Sequence, residues 1–131
     1  MVPGAPMDDA PMECDGEAVW LINSVGGQFQ CLAFVDDVKQ IDTNTLQSLL
    51  SLNRGSVPVE PVLISKCSGT VQGIRVLVDV QGLFAKRYDA QTGSVWLVRP
   101  DQHIAARWRR YQPALIEQAL RVAIGAELAA A

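Results

Sequence analysis

The single histidine of this chain is the first residue whose chemistry needs an explanation. His103 lies in the stretch SVWLVRPDQHIAARWRR, residues 94–110, which also contains four arginines. An imidazole exchanges protons near neutral pH, so a catalytic base among cations is one interpretation. Catalysis would also require an orienting partner and a substrate pocket. Because Asp101 fits a turn cap better than a partner acid, we expect no catalytic residue here.

Alternating residue types predict that the same stretch is a β-hairpin. SVWLV and HIAARWR have the alternation of strands, and RPDQ between them has turn residues. In the second strand one face would hold Ile104, Ala106 and Trp108, and the other His103, Ala105, Arg107 and Arg109. The arginines then form a solvated face or an ion-pairing surface for a partner. The candidate interaction surface consists of Trp96, Arg99, His103, Arg107, Arg109 and Arg110.

The cysteines offer little redox or metal chemistry. Cys14, Cys31 and Cys67 are odd in number, far apart and never arranged as C-x-x-C, which favours reduced thiols. Cys31 and Cys67 belong to apolar runs typical of buried strands, and whether either thiol is reactive stays open. With one histidine and no cysteine pair, the sequence predicts no metal site.

Composition indicates one ordinary domain. A chain of 131 residues, 49% of them hydrophobic, can bury a core of its own. None of its apolar runs reaches the roughly 20 residues of a membrane span, and the acidic, proline-rich start is unlike a signal peptide. We therefore expect a cytoplasmic protein that does not contact a membrane.

Charge is distributed unevenly within a net charge of −3. Residues 1–42 contain eight acids against Lys39 alone, a net of −7, whereas residues 86–110 contain six basic residues against two acids, a net of +4. The acidic balance and the lack of a recognisable reading helix exclude nucleic acid as the expected partner. We expect attraction between the two regions, or from one of them to a partner surface.

The order of predicted elements indicates an α/β fold. Residues 1–17 are predicted to be a linker or extended N-terminal arm, and residues 18–131 a domain. Within the domain the order is strand, helix, strand, a mixed segment, helix, antiparallel hairpin and helix. A central mixed sheet that ends in an antiparallel hairpin, with helices on both faces, is the layout of the thioredoxin fold. The predicted helices begin near Asp42, Asp79 and Tyr111, and the predicted strands are FQCLAFV, VEPVLISKC, GIRVLVD and the hairpin.

A thioredoxin-type oxidoreductase would place a low-pKa cysteine at the start of the helix after its first central strand, where the helix N-terminus stabilises a thiolate. Here that junction reads FVDDVKQIDTNTL and contains no cysteine. The proline usual before the hairpin is also missing, since the sequence there is QTGSVW. Thiol–disulfide exchange at this position is therefore not expected, and the domain is one without C-x-x-C.

Two segments resemble a known family. PGAPMDDAP and RYDAQTGSVWLVRPDQHIAARWRRY are similar to the C-terminal thioredoxin-like domain of FAD-dependent aromatic-ring hydroxylases, the phenol and 3-hydroxyphenylpropionate hydroxylase type of monooxygenase. The hairpin half of the pattern is the more specific. The matching residues are Pro3, Gly4, Ala10, Pro11, Tyr88, Gly93, Leu97, Arg99, Pro100, Asp101 and Arg107.

The resemblance implies a non-catalytic domain that supports stability or assembly. FAD and NAD(P)H would be cofactors of a full-length parent only, because this chain contains no G-x-G-x-x-G turn. Its partners would be the FAD and substrate domains of a parent or partner hydroxylase, and a homodimer is also open. The alternative is a stand-alone thioredoxin-like protein that binds a small molecule or uses a single thiol. The residues do not separate an excised domain from a complete short protein.

Overall fold

The computed structural model describes residues 4–130 of the chain, and the side chains of residues 4–125. A 3₁₀ helix, Val38–Gln40, lies among the regular elements of this part. The strands are β1 (Pro11–Cys14), β2 (Glu17–Trp20), β3 (Phe29–Val35), β4 (Val59–Ser65), β5 (Arg75–Val78), β6 (Val95–Val98) and β7 (Ile104–Trp108). The helices are α1 (Leu21–Ser24), α2 (Thr43–Leu52), α3 (Leu83–Tyr88) and α4 (Pro113–Ala130).

The strands form one mixed sheet in the order β2-β1-β5-β4-β3-β6-β7. The central strands β5, β4 and β3 are parallel, and β6 and β7 continue the sheet antiparallel beside β3. On the other side β1 pairs antiparallel with both β5 and β2. The predicted α/β fold with a terminal antiparallel hairpin is thus confirmed.

The helices cover both faces of the sheet because its central strand is apolar on both. All of β3 from Phe29 to Phe34 is buried, and its side chains alternate between two cores. The first core lies under α1 and α3, and the second under α2 and α4. Around β3 the first core contains Leu32, Phe34, Phe84, Tyr88 and Trp96, and the second contains Cys31, Ala33, Leu49, Leu97 and Ile116.

Residues 11–14 correct the prediction of a linker or arm over residues 1–17. They form β1, which pairs with β2 along its whole length and with β5 at Glu13. The turn between β1 and β2 is Asp15-Gly16, with φ of 52° and 82°. Two successive positive φ angles are typical of the tight turns that close two-residue hairpins, and Asp-Gly is well suited to them. Proline at Pro11 is tolerated because it is the first residue of its strand.

The residues before β1 cross the first core from one side of the sheet to the other. The amide of Ile104, at the start of β7, donates to Ala5 O at 2.8 Å, and the amide of Met7 donates to Gln102 O at 2.9 Å. Farther on, Tyr88 of α3 donates its hydroxyl to Asp8 O at 2.5 Å. Residues 4–10 therefore connect the β7 edge to β1 across α3, and we call them the N-terminal strap.

A β-bulge changes the predicted faces of β7. Val98 is opposite Ile104, whereas its neighbour Leu97 is opposite Ala106, so Ala105 is the additional residue. Ile104 consequently packs in the first core and Trp108 against the second. The prediction that Ile104, Ala106 and Trp108 share one face is wrong, because strict alternation does not continue through a bulge.

A buried carboxylate determines where α3 begins. Asp79 follows β5, is 5% exposed, and accepts hydrogen bonds from the amides of Phe84 at 2.9 Å and Ala85 at 3.0 Å. These are amides of the first helical turn, which have no partners within the helix. Gly82, with φ of 70°, makes the entry into the helix. Asp79 thus fixes the helix that carries the aromatic side chains of the first core.

We expect Asp79→Ala to lower the free energy of unfolding by about 2 kcal/mol, because two amides lose a charged acceptor in a buried place. Urea denaturation followed by circular dichroism measures the change. Asp37→Ala is the matched control: Asp37 accepts one hydrogen bond, from the exposed amide of Lys39, and its loss should cost about 1 kcal/mol or less. Equal losses in the two variants would contradict the assigned role of Asp79.

Candidate functional site

The carboxyl ends of β3 and β4 meet at one edge of the sheet, which we call the carboxyl edge. Asp36 follows β3 and Lys66 follows β4, and Asp36 Oδ1 lies 3.0 Å from Lys66 Nζ. The turn before β6 closes over the same edge, since the Gly93 amide donates to Phe34 O at 2.8 Å. In parallel α/β sheets this edge is where binding and catalytic groups are usually placed.

Asp36 is held as a carboxylate at this edge. A hydrogen bond with Thr92 and a second with Lys66 lower the pKa of Asp36, because both stabilise the charged form. Lys66 Nζ also lies 5.8 Å from the centroid of the Phe34 ring. The side chains of Asp36 and Lys66 are each about half exposed. The cluster can bind a polar group from solvent, but it contains no thiol.

The junction between β3 and α2 contains no thiol in the structure, as the sequence predicts. After Val35 the chain continues through Asp36, Asp37 and the 3₁₀ helix before α2 begins at Thr43. The residue directly before β6 is Ser94, whose hydroxyl accepts a hydrogen bond from the Gln91 amide at 3.0 Å. Polar residues thus occupy both the position at which a redox thiol would be expected, after β3, and the position at which a proline would be expected, before β6.

The three thiols differ in their access to solvent. Cys31 is fully buried in β3, and desolvation raises its pKa to about 12. Cys14 is half-buried, and its pKa is raised first by burial and then by the neighbouring Asp15. Cys67 is exposed just after β4, contrary to the buried position its apolar run predicts. Its amide donates to Ser65 Oγ at 3.2 Å, which fixes the backbone there.

The basic side chains of the hairpin divide into two groups. At the turn between β6 and β7, Arg99 pairs with Asp101, and His103 Nδ1 lies 3.3 Å from Asp101 Oδ1 and 3.1 Å from its carbonyl oxygen. At the other end of β7, Arg109 donates to Gln91 Oε1 at 3.3 Å, and Arg110 follows as an exposed residue. The strand between the groups is about 17 Å long. They do not form one compact patch.

Trp96 is not part of any surface, which corrects its place in the predicted interaction surface. Its side chain is 0% exposed in the first core. It meets Phe84 and Tyr88 edge to face, at centroid distances of 5.3 and 5.8 Å. The guanidinium carbon of Arg107 lies 5.7 Å from the centroid of the Trp96 ring. Trp96 is buried because α3 covers the face of β6 that was predicted to be available to a partner.

The residues that carry the family resemblance hold the hairpin region together. Tyr88 packs on Phe84 with a centroid distance of 4.3 Å, and Gly93 adopts a φ of 95° in the turn before β6. Arg107 donates to Asp89 O at 3.2 Å, where Asp89 has a left-handed backbone. Ala10, the last residue of the strap, is fully buried. Pro3 of the pattern lies outside the described residues.

The acidic and basic regions of the chain do meet, but through main-chain oxygens. Arg87 donates to Asp9 O at 2.6 Å, and Tyr88 donates to Asp8 O. Between residues 4–42 and 86–110, as far as they are described, side-chain ion pairs are absent. The expected attraction between the regions therefore takes the form of hydrogen bonds to the strap.

The described residues contain neither a membrane-spanning helix nor a cluster of metal ligands. No helix among residues 4–130 is long and apolar enough to cross a membrane. Grouped histidine, cysteine and acidic side chains that could hold a metal ion are not found in the same part of the chain.

The sequence matches no protein-family model and no curated protein. Solved structures share the fold. The flavin-dependent monooxygenase PieE, in a complex with FAD and substrate, is 24% identical over 91% of this chain, with a TM-score of 0.65. Aklavinone-11 hydroxylase, in a complex with FAD and aklavinone, is 19% identical over 88% of the chain, with a TM-score of 0.65. This chain spans only 20% of the length of each.

Thiol-dependent proteins of similar size share the fold over most of their length. The thiol peroxidase from Chromobacterium violaceum is 13% identical, with a TM-score of 0.75, over 94% of this chain and 88% of its own. The thioredoxin-like fold is therefore established. At these identities the comparisons establish the fold alone.

Exposure and pKa predict the order in which the thiols react. With 5,5′-dithiobis(2-nitrobenzoate) at pH 8, we expect Cys67 to react first and Cys14 more slowly, because a raised pKa leaves less thiolate. Cys31 should react only after urea unfolding. The Cys67→Ser variant should lose the fast phase alone. A fast phase that persists in this variant would contradict the assignment.

Proposed function

We propose that this chain is a thioredoxin-like domain without thiol chemistry that docks on the FAD-binding catalytic part of an aromatic-ring hydroxylase. In this role it would stabilise or assemble the enzyme and bind no flavin itself. The main support for this proposal is the carboxyl edge. There Asp36, Thr92 and Lys66 form a hydrogen-bonded cluster where a redox thiol would be expected.

The family pattern supports the same proposal. Tyr88, Gly93 and Arg107 are committed to packing, a turn and a main-chain contact, as expected of a scaffold. PieE and aklavinone-11 hydroxylase support it because this fold makes up a fifth of each chain.

Arg109 and Arg110 are the side chains best placed for docking. Both are exposed beyond the end of β7, and neither takes part in an ion pair among residues 4–125. Arginine is enriched at protein interfaces, where its planar group pairs with carboxylates. The expected contact is therefore an acidic surface of the catalytic part.

The test is co-expression of this chain with each FAD-binding hydroxylase encoded in its source genome, followed by affinity purification and size-exclusion chromatography. We expect a stoichiometric complex with one hydroxylase, in which flavin absorbance belongs to the partner. Arg109→Glu with Arg110→Glu should weaken the complex about tenfold or more, since two attractive contacts become repulsive.

Charge reversal elsewhere is the matched control. Lys39→Glu with Arg54→Glu changes the net charge equally at two exposed residues outside the hairpin, and it should leave the complex intact. Flavin bound to this chain alone, or a complex that both double variants weaken equally, would overturn the docking proposal.

The second candidate is a stand-alone thioredoxin-like protein that uses Cys67 as a single thiol. Two observations favour it: the exposure of Cys67 beside the carboxyl edge, and the near-complete coverage of thiol peroxidase by this fold. By the share of each chain that is covered, the comparisons support this candidate better than the first.

Peroxide oxidation tests the second candidate. A Cys67 thiolate would attack one oxygen of hydrogen peroxide, so that the O–O bond breaks, the sulfur becomes a sulfenic acid, and hydroxide leaves and takes a proton from solvent to form water. Dimedone trapping and mass spectrometry should then label Cys67 within minutes, with labelling lost in Cys67→Ser and kept in Cys14→Ser. Labelling no faster than that of free cysteine would eliminate the candidate.

A further inference from the structure

Two cavities lie on either side of α4, and the larger is the stronger candidate for a site. It has a volume of about 680 Å³, within the range of small-molecule sites. One wall is α4, and the other is the end of α2 with the loop that leads to β4. The main lining side chains are Leu52, Val57, Val59, Ile116, Leu120 and Ile124.

The walls of this cavity keep apolar surface in contact with water. Val59 and Ile116 form its buried floor, whereas Leu52, Val57 and Leu120 are only half-buried. An occupant that removed this apolar surface from water would be bound through the hydrophobic effect. Because these side chains come from α2, the loop and α4, a bound molecule would touch all three elements. The occupant must therefore be largely apolar.

The rim of the cavity has balanced charge. Glu117 and Arg121 are one turn apart on α4, so their charges cancel. Ser51 and Ser56 line the opposite side, and the Ser51 hydroxyl already donates to Ser48 O at 2.7 Å. Its oxygen can still accept a hydrogen bond. Because the described residues of the rim include donors and acceptors and have no net charge, they complement a neutral polar group rather than an anion or a cation.

We propose that the cavity between α4 and the α2–β4 loop binds a neutral, largely apolar small molecule with one hydrogen-bonding group. The site does not depend on either candidate function. It is separate from the carboxyl edge and from the arginines of the hairpin.

The smaller cavity, on the other side of α4, supplies an internal comparison. Its volume is about 410 Å³, and its lining includes Arg99, Trp108, Leu115 and Gln118. The one charged side chain among the described residues of its lining, Arg99, is already paired with Asp101, so the two cavities differ mainly in volume. A molecule that fills the larger cavity should not fit the smaller one equally well.

The test is a fluorescence titration of the full chain with N-phenyl-1-naphthylamine, a neutral probe. Its anionic relative, 1-anilinonaphthalene-8-sulfonate, is the comparison. We expect saturable binding of one neutral probe per chain and binding of the anion at least tenfold weaker. Glu117→Gln should strengthen binding of the anionic probe, because the charge of Arg121 would then be unbalanced.

Two phenylalanine substitutions locate the probe. Ser56→Phe occupies the larger cavity from an exposed loop residue and should weaken binding of the neutral probe about tenfold. Gln118→Phe, the matched change in the smaller cavity, should leave it within twofold. Circular dichroism and urea denaturation establish that both variants are folded.

Three results would overturn the proposal. The first is an absence of saturable binding, and the second is equal weakening by Ser56→Phe and Gln118→Phe, which would indicate adventitious binding. The third is a dimer in sedimentation analysis that Ser56→Phe dissociates, since a second copy of the chain would then be the occupant.

Discussion

The fold depends on burying β3 from both sides. A strand with no polar face cannot lie at a surface, so the chain must supply one layer of helices for each side. Phe34 directs the first layer, where α3 places Phe84 against it with a centroid distance of 5.9 Å. Leu97 of β6 and the buried side chain of Ile116 belong to the second. Along its edges β3 is paired by β4 and β6, so the strand is enclosed on all four sides.

This arrangement separates the fold from the chemistry that it often carries. A thioredoxin-like sheet needs the two apolar layers but does not need a cysteine at the end of its first central strand. Here Asp36 and Lys66 occupy the carboxyl edge, and the thiol of Cys31 lies within the sheet where it cannot ionise near neutral pH. Fold and function are therefore independent claims, and only the fold follows from the likeness to thiol-dependent proteins.

Periodicity and apolar runs were sufficient to predict the central strands, α2, α4 and the final hairpin, because these signals arise from local burial. Features that depend on tertiary contacts were harder to predict from the sequence. The bulge at Ala105 leaves no trace in the composition of its strand, and Trp96 is buried only because α3 packs over β6. The β1 strand did have a local signal, the Asp15-Gly16 dipeptide between two short alternating runs. Its acidic, proline-rich surroundings concealed it.

The same limit applies to the sites. The sequence predicted that the junction after β3 lacks a thiol, since this needs only element order. It could not predict the separate partners of Arg99 and Arg109, or that Cys67 is exposed. The cavity beside α4 is assembled from residues about 60 positions apart in the chain. The spacing of residues within one helix or strand does not indicate which distant element will pack beside it.

The N-terminal strap has a consequence for how the protein folds. Ala5 and Ile104 are joined by a hydrogen bond across 99 positions of the chain, and Asp8 and Tyr88 across 80. During synthesis the strap leaves the ribosome long before residues 88, 102 and 104, with which it forms hydrogen bonds, have been made. Contacts of such long range form late and slowly, because loop closure precedes any gain from pairing. The strap is thus among the last parts of this domain to reach its native position.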